Sequence, residues 1–221
     1  MIIWLILAVL FAGLEALAIQ KGWRRVEYVA EPAVILSLIA GLAVSTGLQG
    51  SAFWFGLGLF FSLLGDVILI PPSEKLFLAG LIAFLLTHIC YLIGFQQQML
   101  APSAWSLVVI VVILLNAVRI LRRMVASMRA RGMDRLVYPV IVYGLVISLM
   151  LYAAMSTISD HSWNIGAAFL VSMGAFLFWL SDLILAWNKF VSPLKIGRLA
   201  IVALYQFGQI GLIAGVIRQF G

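Results

Sequence analysis

Cysteine is almost missing from this chain. Cys90 stands alone among 221 residues, so no internal disulfide can form, and cysteine usage gives no compartment. Charge is scarce as well. Only 10% of residues are Asp, Glu, Lys or Arg, while 65% are hydrophobic. That balance excludes a soluble globular domain and fits a polytopic membrane protein. Histidine occurs twice, and neither an HExxH motif nor a Cys cluster is present, so a metal hydrolase lacks its ligands. No GxSxG elbow is present for serine hydrolysis. The four lysines, Lys21, Lys75, Lys189 and Lys195, all fall in loops, which leaves no intramembrane amine for a retinal Schiff base. The net charge of +6 is no nucleic-acid footprint here; in a membrane chain the question is where the positive charges lie.

What is present is a succession of long apolar runs. A helix needs about 20 mostly apolar residues to span a bilayer. Eight segments meet that length: 2–19, 29–46, 52–70, 76–95, 103–120, 136–155, 163–186 and 199–217. Between them lie short connectors with turn chemistry, such as "PPSEK" and "QQQMLAPS", and one longer basic connector after the fifth segment. The expectation is an all-α protein with eight transmembrane helices, read as one integral membrane domain over 1–221. Ala16-Leu17-Ala18 resembles a signal-peptide cleavage site, but no Lys or Arg precedes the first run, so that run reads as a retained helix. Every Lys and Arg except Arg218 lies in or beside the connectors after segments one, three, five and seven. The positive-inside rule then makes those connectors cytoplasmic and puts both termini outside. In a bacterium the site of residence would be the inner membrane.

Two apolar runs carry an aspartate in matching frames, "LGDVIL" at 64–69 and "LSDLIL" at 180–185. Their offset has two readings. Segments one to four and five to eight form a parallel 4+4 repeat, or the pattern recurs by chance in Leu/Ile-rich sequence. An intramembrane carboxylate is costly and marks a functional site by default. Asp66 and Asp182 each sit about 6 Å inside the cytoplasmic boundary, at ~1.5 Å rise per residue. Glu15 and Glu31 fall in the same slab, close enough to helix ends to reach interfacial water or Lys21, Arg24 and Arg25. Asn116, Tyr138, Tyr143, Tyr205 and Gln209 lie in the same half, and His88 lies near the midplane. Tyr138 also suits an aromatic belt, and Asn116 and Gln209 suit interhelical hydrogen bonding. Two carboxyls in apolar surroundings can share one proton, which suits general acid–base chemistry. The same pair suits proton-coupled transport of a small solute or lipid, and a non-catalytic lipid-binding protein is the third reading. The basic connectors beside the slab suit an anionic headgroup.

The ordered set "SLLGD" at 62–66, "FLAGLIAFLLTHICYLIGF" at 77–95, "YPVIVYGLVISLM" at 138–150, "GAFLFWLSDLILAWNKF" at 174–190 and "LYQFGQIGLIAG" at 204–215 resembles the YhhN family of membrane proteins. The animal members of that family are lysoplasmalogenases, and the family is expected to have eight helices. The resemblance implies hydrolysis of the vinyl ether bond of a lysoplasmalogen; no cofactor and no metal are expected. The products would be a fatty aldehyde and glycerophosphoethanolamine or glycerophosphocholine. It points to Asp66 and Asp182 as catalytic residues. Glu31, His88, Asn116, Tyr143, Tyr205 and Gln209 are candidates to contact the substrate or support the pair. The lysophospholipid would come from the cytoplasmic leaflet, and no nucleic acid is involved. Two positions depart from the family pattern. Many relatives have Lys-Pro where this chain has Glu31-Pro32, and a Tyr-Tyr pair where it has Tyr205-Gln206.

Overall fold

A computed structural model describes residues 2–70, 74–95, 104–195 and 197–221; for Glu74, Lys75 and Ser106 only the backbone is described. The expected "QQQMLAPS" connector, Ser103 at the head of the fifth segment, and Pro71, Pro72 and Ser73 of "PPSEK" lie outside the described residues. Eight α-helices follow one another: α1 Ile2–Lys21, α2 Arg24–Thr46, α3 Ser51–Leu69, α4 Glu74–Phe95, α5 Ala104–Ala130, α6 Asp134–Ser156, α7 Ile165–Phe190 and α8 Gly197–Phe220. A 3₁₀ turn, Thr157–Ser159, follows α6, and no strand occurs among the described residues. Among the described residues, seven helices are long and apolar enough to cross a membrane. The eighth, α5, has an apolar first half and then carries Arg119, Arg122, Arg123 and Arg129.

The helices run past the apolar segments, and the reason is helix propensity. Arg, Met and Ala are strong helix formers, so charge alone does not stop a helix. The basic connector expected after segment five is therefore mostly the last turns of α5. Helix formation stops only near Gly132, whose φ of +70° an L side chain rarely adopts. Gly22, at φ +69°, separates α1 from α2 in the same way. Because α2 and α6 begin early, Pro32 and Pro139 lie inside helices rather than at their starts. Each removes one i→i−4 hydrogen bond. At the head of α7 the Asn164 side chain accepts from the backbone N–H groups of Gly166 and Ala167, at 3.0 and 3.2 Å. That N-cap fixes the start of the helix carrying Asp182.

Consecutive helices make the closest pairs: α7 with α8, α3 with α4, α1 with α2, and α5 with α6. These hairpins join through α4–α6, α6–α7, α2–α3 and α1–α8 contacts, and α8 also touches α2 and α3. α5 packs on α6 and, more lightly, α7. Its outer residues Leu107, Val108, Val111, Val112 and Leu115 are exposed, as suits a lipid-facing stripe. α3 and α7 are not among the main packed pairs. α8 lies against both, and small residues let it come close to α7: a Cβ on Gly174 would stand 2.3 Å from the Leu212 backbone nitrogen. Small residues at helix interfaces are how membrane bundles gain close van der Waals contact.

Candidate active site

Packing brings Asp66 of α3 and Asp182 of α7 to the same cavity, although their helices are not among the main packed pairs. The cavity has a volume of about 440 Å³, and its wall includes Glu27, Glu31, Asp66, Asp182, Lys189 and Arg198. Leu69, Ile70, Phe84, Leu185, Ile201 and Val202 supply its apolar surface. The Phe84, Phe178 and Tyr205 rings pack mutually edge to face, with centroids 5.3 to 6.4 Å apart. Phe84 can lie flat on α3 because residue 65 is glycine; a Cβ there would come within 2.7 Å of the ring. The "LGD" sequence thus couples an aromatic wall to the carboxylate that follows it.

Each aspartate has its own set of donors. Asp66 is buried, and the Tyr205 hydroxyl donates to its Oδ2 at 2.7 Å. Behind Tyr205 runs a buried chain of hydrogen bonds with one consistent direction. Tyr91 donates to Gln209 Oε1 at 2.7 Å, Gln209 Nε2 donates to Ser62 at 2.8 Å, and Ser62 meets the Tyr205 hydroxyl at 2.8 Å. Since Tyr205 spends its proton on Asp66, Ser62 donates to Tyr205 and every member of the chain is satisfied. Removing a single hydroxyl should therefore be felt. Tyr205→Phe leaves both Ser62 and Asp66 short of a buried partner and is expected to destabilise the protein by roughly 1–3 kcal/mol, read as a lower melting temperature in detergent. An unchanged melting curve would show that the chain contributes no net stability.

Asp182 is partly open, with its side chain 12% exposed. The Tyr143 hydroxyl donates to Asp182 Oδ2 through a short hydrogen bond. His88 Nε2 lies 3.1 Å from the same oxygen and 3.0 Å from the Tyr143 hydroxyl. His88 is fully buried, and its Nδ1 has no hydrogen-bond partner among the described residues. The network therefore assigns the ring proton to Nε2, where an acceptor exists, since a buried N–H with no acceptor would be costly. Two donors converging on one oxygen fix Asp182 in the cavity wall.

Most of the other candidate residues meet here, and some do not. Glu31 and Tyr205 line the cavity, His88 and Tyr143 hold Asp182, and Gln209 belongs to the chain behind Asp66. Asn116 stays apart. It is exposed on α5, and its Nδ2 donates to the Val112 carbonyl one turn back. Glu15 is not in contact with interfacial water; it is fully buried and accepts from Gln206 Nε2 at 2.6 Å. Tyr138 is exposed, as a belt residue is. Ser62, Tyr91 and the Glu27–Arg198 ion pair were not expected from sequence. Ser62 was within reach, one helical turn before Asp66 on the same face. Among the described residues, no three His, Cys, Asp or Glu side chains are grouped to hold a metal ion.

A membrane-embedded helical bundle with paired aspartates in a cavity of mixed charge is what these observations define. The YhhN family model matches residues 26–216, and the chain belongs to that family. It is 31% identical over 204 residues to lysoplasmalogenase TMEM86B of Mus musculus, an alignment covering 91% of this chain and 79% of that protein. The corresponding protein of Sus scrofa is 31% identical over 183 residues, with 80% and 69% covered. Lysoplasmalogenase TMEM86A of Homo sapiens is 31% identical over 156 residues, with 69% and 60% covered. No solved structure matches the chain.

Proposed function

We propose that this protein is a lysoplasmalogen hydrolase that cleaves the vinyl ether bond with Asp66 and Asp182. The family relationship to lysoplasmalogenases supports the reaction, and the observation that carries the mechanism is the opening of both aspartates onto one cavity. Asp182 Oδ2 accepts two donors, which suits the ionised partner; Asp66 is the acid. The Asp66 proton goes to the vinyl β-carbon, leaving an oxocarbenium cation that the Asp182 carboxylate stabilises. Water attacks the adjacent carbon and gives its proton to Asp182, forming a hemiacetal. On collapse, Asp182 returns that proton to the ether oxygen while Asp66 takes the hemiacetal hydroxyl proton. Fatty aldehyde and glycerophospho-alcohol leave, and both aspartates regain their starting states.

The cavity suits a zwitterionic headgroup. Arg198 and Lys189 offer positive charge to a phosphate, although Arg198 is paired with Glu27 and Lys189 rests over the Phe77 ring at 5.0 Å. Glu31 offers the complementary charge to an ammonium group. Lys189 and Arg198 in the cavity wall, with the positive-inside rule, support access from the cytoplasmic leaflet. Purified protein incubated with lysoplasmalogen is expected to release aldehyde. With an ordinary ester-linked lysophospholipid it is expected to release no fatty acid, because an ester presents no vinyl carbon to protonate. Fatty acid from the ester, or solute flux without consumption of either lipid, would sink this reading.

A further inference from the structure

Asp182 borders more than one space. Besides the polar cavity, it borders a groove of about 120 Å³ between α5, α6 and α7. The groove wall is almost wholly apolar, with Leu121, Met124, Val140, Ile147, Trp179 and Leu183 among its residues. Two of its polar groups are already engaged. Ser148 turns its hydroxyl back onto the Gly144 carbonyl at 2.7 Å, and Tyr143 gives its proton to Asp182. Leu114, Val118 and Leu145 also line the groove and are exposed, so it opens on the side of the bundle. The α6 portion, residues 140–148, gives the groove a length of ~12 Å at ~1.5 Å per residue. Gly144 lies on its wall, and a Cβ built there meets nothing within 4 Å. Glycine inside a helix is unfavourable relative to alanine. No neighbour requires glycine at this position, so what its missing side chain provides is room in the groove.

We infer that this groove holds the hydrocarbon chain of a single-chain phospholipid whose polar end occupies the Glu31–Arg198 cavity, with Asp182 and Tyr143 at the junction. An amphipathic ligand has one apolar arm and one polar arm, and its change of polarity falls at the first atoms of the chain. Here the two compartments share one residue, and that residue is the carboxylate placed to act at the chain's attachment point. A single groove takes one chain, which gives a physical basis for selecting lysolipids over two-chain lipids. Gly144 is then the residue that sets how much chain fits. This inference rests on the hydrolase reading for its ligand, so the test separates the two.

The probe is a single-chain glycerophosphoethanolamine with a diazirine near the end of its chain, irradiated with purified protein and mapped by peptide mass spectrometry. Label is expected on residues of α5, α6 and α7 that line the groove, and its yield is expected to fall in Gly144→Leu. With lysoplasmalogens, Gly144→Leu is expected to raise KM for a long chain at least about tenfold while leaving a short chain near wild type. Gly144→Ala, with its smaller side chain, is expected to lie between. Both changes improve helix propensity, so melting temperature should not fall, and a loss of binding cannot be assigned to unfolding. Label on other helices, or equal turnover of both chain lengths by Gly144→Leu, overturns the inference. Label in the groove without aldehyde release from wild type would keep the groove and remove the hydrolase. Aldehyde release with label elsewhere would do the reverse.

Discussion

Asp66→Asn and Asp182→Asn are each expected to lower aldehyde release from lysoplasmalogen by about 10²–10⁴-fold, the range that a positioned acid or base contributes. Asparagine has nearly the same shape as aspartate but neither gives nor takes a proton in the relevant range. Its amide oxygen can still accept from Tyr205 at position 66, or from Tyr143 and His88 at position 182, so the local hydrogen bonds have a replacement. The loss should appear in kcat with little change in membrane insertion or melting temperature. Since both carboxyls act on one protonation and one hydration, the double variant should lose about as much as either single variant, not the product of the two. Wild-type aldehyde release in either variant removes that residue from the mechanism. Loss of stability without selective loss of turnover would favour a structural role, as a non-catalytic lipid-binding protein predicts. Loss of solute flux instead would favour a transporter.

The eight helices were legible in the sequence because lipid-facing stripes leave long apolar runs, and Gly22 and Gly132 mark two of the breaks. Helix ends were less legible. Hydropathy falls where charge appears, but the α5 backbone continues through Arg119, Arg122, Arg123 and Arg129 because those residues favour helix. Asp66 and Asp182 stood out as carboxylates in apolar runs. Their partners depended on which faces meet, and that is a tertiary fact. Tyr205 and Gln209 are one turn apart, as are Ser62 and Asp66, so each helix presents its two groups on one face. Nothing local said that these two faces would meet, or that Tyr91 of α4 would join them. Glu15 shows the limit from the other side. Its place near a helix end suggested interfacial water, but α1 packs against α8 and Gln206 takes it into the interior. Asn116 had the right depth and the wrong face.

The second large effect is expected from a single methyl group. Gly174→Ala should destabilise the bundle by about 1–3 kcal/mol or more, the cost of overpacking a filled interface. A Cβ at 174 would lie 2.3 Å from Leu212 N, 2.6 Å from Gly208 O and 2.8 Å from Leu212 Cα. All three are backbone atoms, so no rotamer change relieves the clash, and α8 itself must move away from α7. Gly208 faces the same contact, and its Cβ would approach the Phe178 backbone nitrogen to 2.8 Å. Tyr205 and Gln209 flank Gly208 on α8, while Asp182 follows Gly174 by about two turns on α7. A shift of α8 therefore pulls Tyr205 from Asp66 and changes the width of the cavity between the aspartates, so turnover should fall together with melting temperature. Gly13→Ala is the matched control: a Cβ there meets nothing within 4 Å, and neither property should change. If Gly174→Ala melts and turns over like wild type while Gly13→Ala does the same, then close α7–α8 contact is not what holds the aspartates to one cavity.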